Sequence, residues 1–124
     1  MADTLTPVDV EQKLRGLVNE MYGAQKALAR ARDDETAAEI ELKRARAKAF
    51  HHKDCPKVTR GGYTVGDKDA WLDEQVMDSW VAYRIASTAR DVATDNLRVV
   101  LAVAETVRSL GASVRQAYSL AGQS

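Results

Sequence analysis

PVDVEQKLRGLVNEMYGAQKALARARDDETAAEIELKRARAKAFHH, residues 7–52, is the stretch that decides the fold. Its entry, Thr6-Pro7-Val8-Asp9, is a helix start: a hydroxyl cap, a proline where the missing N–H costs nothing, and an acid in the first turn. Val10, Leu14, Leu17, Met21, Ala24, Leu28, Ala31, Glu35, Ala38, Leu42, Ala45 and Ala49 then recur at alternating steps of four and three. All but Glu35 are apolar, so the period is the heptad of a coiled-coil seam. No proline interrupts the run to His52, and a helix of about 45 residues would be about 68 Å long. A helix of that length with one apolar stripe does not stand alone in water; it lies along a partner.

The partner is in the same chain. HHKDCPKVTRGGYTVG (51–66) stops the helix with Pro56 and the Gly61-Gly62 pair. Lys57-Val58-Thr59 and Tyr63-Thr64-Val65 flank the glycines, a pattern that predicts a short β-hairpin, or a loop, over 53–66. A second helix is expected from about 67 to 110, with Asp69, Asp73 and Glu74 complementing its N-terminal dipole. Its stripe reads Ala82, Ala86, Ala89, Ala93, Asn96, Val100, Val103, Val107, Leu110 and Val114. Gly111 ends or bends this helix, and a short helix over 112–120 closes the chain. The expected fold is all-α: one domain, 1–124, built as a long antiparallel two-helix hairpin.

Val18, Tyr22, Ile40, Phe50, Val81, Ile85, Val92, Val99 and Leu101 lie off both seams. Two helices cannot cover them all, so the chain is expected to form a homo-oligomer, with Val92, Val99, Val103, Leu110 and Val114 at the interface. Tyr22, Trp71, Trp80 and Tyr83 fit core or inter-subunit packing.

Composition bounds the rest. At 124 residues the chain holds one domain, and its two prolines and few aromatics suit helices rather than a sandwich. No apolar run approaches the roughly 20 residues of a membrane span, and the N-terminus lacks a signal-peptide pattern. The single Cys55 rules out an internal disulfide and fits a reducing compartment, so a cytoplasmic location is expected. Catalysis is not expected. There is no G-x-S-x-G, no phosphate loop ending in Gly-Lys-Ser/Thr and no HExxH, and Asp33, Asp34 and Glu35 fan around a helix instead of converging. His51, His52 and Cys55 are the one cluster of metal-ligand types, a ligand short of a structural zinc site, so neither metal nor cofactor is expected.

Lys+Arg and Asp+Glu balance at 18 each, which argues against an indiscriminate polyanion binder. Their placement is uneven, however. Residues 41–62 hold seven Lys/Arg against two Asp/Glu, and 63–80 hold one against five. Lys43, Arg44, Arg46, Lys48, Lys53, Lys57 and Arg60 make the basic stretch. At 100° per residue, Arg44 and Lys48 point away from the seam one turn apart, a like-charge spacing that weakens a helix. One reading is a solvated basic helix end matched to its dipole. The other is contact with phosphates. Arg60-Gly61-Gly62-Tyr63 favours the second, since single strands are held by cations that follow phosphates and rings that stack on bases.

AEIELKRARAKAF (38–50), the basic loop, the acidic helix start and the closing VRSLGASVR (107–115) together resemble the UvsY-type phage recombination mediators. The resemblance covers roughly residues 9–118. It implies a ring-forming oligomer, in a bacterial host cell, that binds single-stranded DNA and helps load a RecA-type recombinase onto DNA covered by single-strand-binding protein. It places DNA contacts on Lys43, Arg44, Arg46, Lys48, Lys57 and Arg60, and oligomerisation around Gly111 and Arg115. The alternative is a phage structural or assembly chaperone, or a helical adaptor that binds another protein through its apolar face without touching nucleic acid.

Overall fold

Thr6 and Thr64 each open a helix with the same device. The Thr6 hydroxyl accepts the Asp9 N–H at 3.2 Å while the Asp9 carboxylate accepts the Thr6 N–H at 3.1 Å. Thr64 and Asp67 repeat the reciprocal pair at 3.1 and 2.9 Å. Each box satisfies backbone donors that a helix start otherwise leaves open. In the computed structural model, which describes residues 5–122, three helices follow: α1 (Pro7–Phe50), α2 (Val65–Gln75) and α3 (Met77–Gly122). The protein is all-α, α1 packs against α3, and the described residues contain no strand.

The expected β-hairpin is therefore replaced by a turn. Val58 and Tyr63 form one isolated bridge, and Gly61 takes φ 77°, the left-handed conformation glycine permits. The ladder cannot extend because Thr64 gives its N–H to the cap of α2 and Pro56 has none to give. A second correction concerns the helix expected over 67–110. It is two helices, parted at Val76 (φ −105°, ψ 13°). Val76 still donates to the Leu72 carbonyl at 3.1 Å and accepts from Trp80 at 2.9 Å, so the hydrogen-bond chain carries on across the break between the two helices. The separate helix over 112–120 does not exist; α3 passes through Gly111 without a positive φ.

The chain forms two compact units, Met1–Ala29 with Val92–Ser124, and Arg30–Asp91. In the first, Val10, Leu17, Ala24 and Leu28 of α1 are buried, together with Ala104 and Gly111 of α3. Gly111 is there for space: a Cβ on it would sit 2.7 Å from Val10 Cγ1. In the second unit, Cys55, Leu72 and Val76 are buried, and Arg46 of α1 fastens α2 by reaching Asp73 at 3.0 Å and Asp69 at 3.5 Å.

All twelve seam positions expected on α1 are buried or half-buried. On α3 only alternate ones are: Ala86, Ala93, Val100, Val107 and Val114 face inward, whereas Ala82, Ala89, Asn96, Val103 and Leu110 are exposed. Their places are taken one residue later by Tyr83, Arg90, Leu97, Ala104 and Gly111. Gly111 makes room for Val10, and Arg90 lies where α1 has its acid. Arg90 Nε donates to Glu35 Oε2 at 2.9 Å, and only 19% of the Glu35 side chain is exposed. The heptad's polar exception is thus half of a seam ion pair.

The Arg90 hydrogen bond holds the Glu35 carboxyl below its ordinary value of 4.5, with Ser87 assisting and partial burial opposing. A depressed carboxyl stabilises the fold above its unfolded value, and that contribution disappears as pH falls through the folded one. As pH falls through and below 4.5, urea midpoints of the wild type should therefore drop more steeply than those of Glu35→Gln. Parallel slopes would remove the pair from any role in acid stability.

Candidate nucleic-acid interface

The last turns of α1 and the loop 51–64 lie in the second unit and carry the basic stretch. Lys43, Arg44, Arg46, Lys48, Lys53, Lys57, Arg60 and Tyr63 are all exposed. Two of the cations are already engaged. Lys43 meets Glu39 at 3.3 Å, and Arg46 is committed to the two carboxylates of α2. Arg44, Lys48, Lys53, Lys57 and Arg60 have no carboxylate within 4.0 Å among the described residues. The loop's one acid, Asp54, is turned to His52: its N–H donates to Nδ1 at 3.0 Å and its carboxylate lies 3.7 Å from the same atom. Five exposed cations without a carboxylate partner are available to meet phosphates.

Backbone bonds hold the loop in shape. Cys55 donates to the His52 carbonyl and Gly62 to the Thr59 carbonyl, each at 3.1 Å, and Thr59 donates to the Tyr63 carbonyl at 3.4 Å. A side chain on Gly62 would force Thr59 to move, because a Cβ would collide with Thr59 Oγ1. Tyr63 follows with 59% of its surface exposed. Phe50, at the end of α1, is 48% exposed and has Lys68 Nζ 3.8 Å from its ring centroid and His51 edge-on at 5.3 Å. Two accessible rings among uncompensated cations can stack on bases and contact phosphates. Sequence reasoning treated Phe50 only as an apolar residue off the seam. Its signal was position, one aromatic between Lys48 and Lys53.

Cys55 is buried, its Sγ 3.9 Å from the Pro56 carbonyl. Among the described residues, no three His, Cys, Asp or Glu side chains converge to hold a metal ion. Nor is any described helix long and apolar enough to cross a membrane.

The residues expected to join subunits divide. Val92, Val99, Val103 and Leu110 are exposed on α3, while Val114 is half-buried in the first unit. The nine off-seam apolar residues named from the sequence are all exposed. Trp80 and Tyr22 are exposed too, whereas Trp71 and Tyr83 are half-buried. Comparison with protein-family models, curated proteins and solved structures gives no match.

Proposed function

We propose that this protein is a recombination mediator of the phage type: an antiparallel helical hairpin that self-associates, binds single-stranded DNA through 43–63, and presents that strand to a RecA-type recombinase against single-strand-binding protein. The observation that carries the DNA reading is the set of five uncompensated cations, Arg44, Lys48, Lys53, Lys57 and Arg60, beside the exposed rings of Phe50 and Tyr63. Repetition of this weak site in an oligomer would raise its affinity by avidity. The recombinase and the single-strand-binding protein enter through the resemblance of 38–50 and 107–115.

The test is fluorescence anisotropy of a labelled oligo(dT) across a salt series. The logarithm of the binding constant should fall linearly with the logarithm of salt, with a slope of about −0.7 for each phosphate contacted. A folded protein that leaves the oligonucleotide free at low salt sinks the reading. The second reading, an assembly chaperone or adaptor without nucleic-acid binding, is favoured by one observation: Val92, Val99, Val103 and Leu110 remain uncovered along α3. In that case substitutions there abolish partner capture, and substitutions at Arg44 or Arg60 leave it intact.

A further inference from the structure

Ile85, Val92 and Val99 recur every seven residues on α3 and are 66%, 63% and 59% exposed. Val81 and Ala102 lie beside them on the same face, also exposed, three or four residues away. All these residues belong to one helix, so the helical repeat alone aligns them. Immediately before each member of the row stands a charge, Arg84 before Ile85, Asp91 before Val92 and Arg98 before Val99, and Glu105 continues the series one heptad further on. The row of charges therefore alternates in sign at heptad spacing along the edge of an uncovered apolar stripe.

We infer that this face of α3 pairs with the same face of a second copy of the chain, the two helices running antiparallel about a two-fold axis near Thr94. In that register Ile85 meets Ala102 of the partner subunit, Val99 meets Thr88 of the partner subunit, and Val92 meets Asp95 of the partner subunit. Arg84 then faces Glu105 of the partner subunit and Asp91 faces Arg98 of the partner subunit, and symmetry makes each pair twice. A slip of one heptad sets like charges against each other, Asp91 against Glu105 and Arg98 against Arg98 in one direction, Arg84 against Arg98 and Asp91 against Asp91 in the other. A parallel arrangement sets the charged row against Ala82, Ala89, Asn96 and Val103, where it finds no partner. The sequence of signs is thus self-complementary in one direction and in one register.

The charges are available for this. Asp91 and Glu105 make local pairs with Arg90 and Arg108 at 3.2 and 3.3 Å, and both are well exposed, so these pairs rearrange at little cost. Arg98 keeps Asp95, 3.4 Å away, and offers its remaining guanidinium donors to Asp91 of the partner subunit, so Asp95 is not left unpaired against Val92. The area argument points the same way. A folded chain of this mass is expected to expose about 6,600 Å², whereas this one exposes 9527 Å². The excess is enough surface for the roughly 800 Å² per partner of a standard interface. The inference rests on the self-association part of the proposed function and adds the orientation and register of the contact.

Disulfide trapping tests it in the full-length chain with Cys55→Ser. Thr88→Cys and Val99→Cys are made separately, mixed, and oxidised mildly. A cross-linked dimer that forms in the mixture and in neither variant alone is the expected result. Dimers that form within each variant alone indicate parallel pairing and overturn the inference. Sedimentation separates the two levels of the argument. A monomer at all concentrations removes the self-association reading, whereas an oligomer without the mixed cross-link removes the antiparallel register alone. Charge reversal supplies the second arm: Asp91→Arg or Arg98→Glu should each weaken association about tenfold, two pairs turning repulsive at once. The double variant Asp91→Arg/Arg98→Glu should return to within about threefold of wild type. Failure of the double variant to recover, with its helix content intact, overturns the pairing.

Discussion

Replacing Arg44 and Arg60 with glutamate should lower the affinity for oligo(dT) about a hundredfold at low salt and leave sedimentation unchanged. Both side chains are exposed and neither touches a carboxylate among the described residues, so their loss takes nothing from packing. Each change removes a phosphate contact and adds a repulsion. The salt slope should flatten by about 1.4, the share of two contacts on a single strand. Arg46 serves as the contrast. Its guanidinium is held by Asp69 and Asp73, so Arg46→Ala should loosen α2 and lower stability, with affinity following only as the loop loses its support. If Arg44→Glu/Arg60→Glu binds DNA as the wild type does, the basic stretch is a solvated helix end and nothing more.

The second large effect is expected at Gly111. Gly111→Leu should cost about 3 kcal/mol, the upper part of the range for overpacking a close contact, because even a Cβ would come within 2.7 Å of Val10 Cγ1. The β-branched Val10 has one torsion with which to escape, and it is itself buried. Shortening Val10 should reverse the sign. In a Val10→Ala background, Gly111→Ala should stabilise by up to about 1 kcal/mol, the helix-propensity difference between the two residues. Urea denaturation of the four members of that cycle measures the coupling directly. Independent effects of the two substitutions would show that the approach of α3 to Val10 is not what requires the glycine.

These two sites show what could be read from sequence and what could not. The α1 seam was fully legible because its apolar residues occupy one stripe, and even its exception, Glu35, was flagged by its charge. On α3 the same reading chose Val103 and Leu110 over Ala104 and Gly111, because apolar residues line two faces of that helix and the larger ones look more like core. At Gly111 contact with Val10 inverts that preference, because the close approach leaves no room for a side chain. Arg90 was hidden for a related reason, since a cation marks a seam only once its acid is known to lie opposite. The parting of α2 and α3 falls on Val76, a buried valine, with neither proline nor glycine beside it to give it away. In the candidate site the residue types were visible from the start. Their division into engaged and available cations was not, because Arg46 finds its partners 23 and 27 residues further along the chain.

Cys55 gives the loop a clock of its own. It is the chain's only thiol, and it lies within the loop 51–64 with 9% of its surface exposed. A thiol reagent can therefore reach it only when that segment opens, and in the limit of fast reclosing the labelling rate is the reagent's intrinsic rate scaled by the open fraction. Any ligand that settles on the loop slows the reaction in proportion to its occupancy, and one that docks on α3 leaves the rate unchanged. The unmodified protein thus reports, through a single sulfur atom, which of its two surfaces has been occupied.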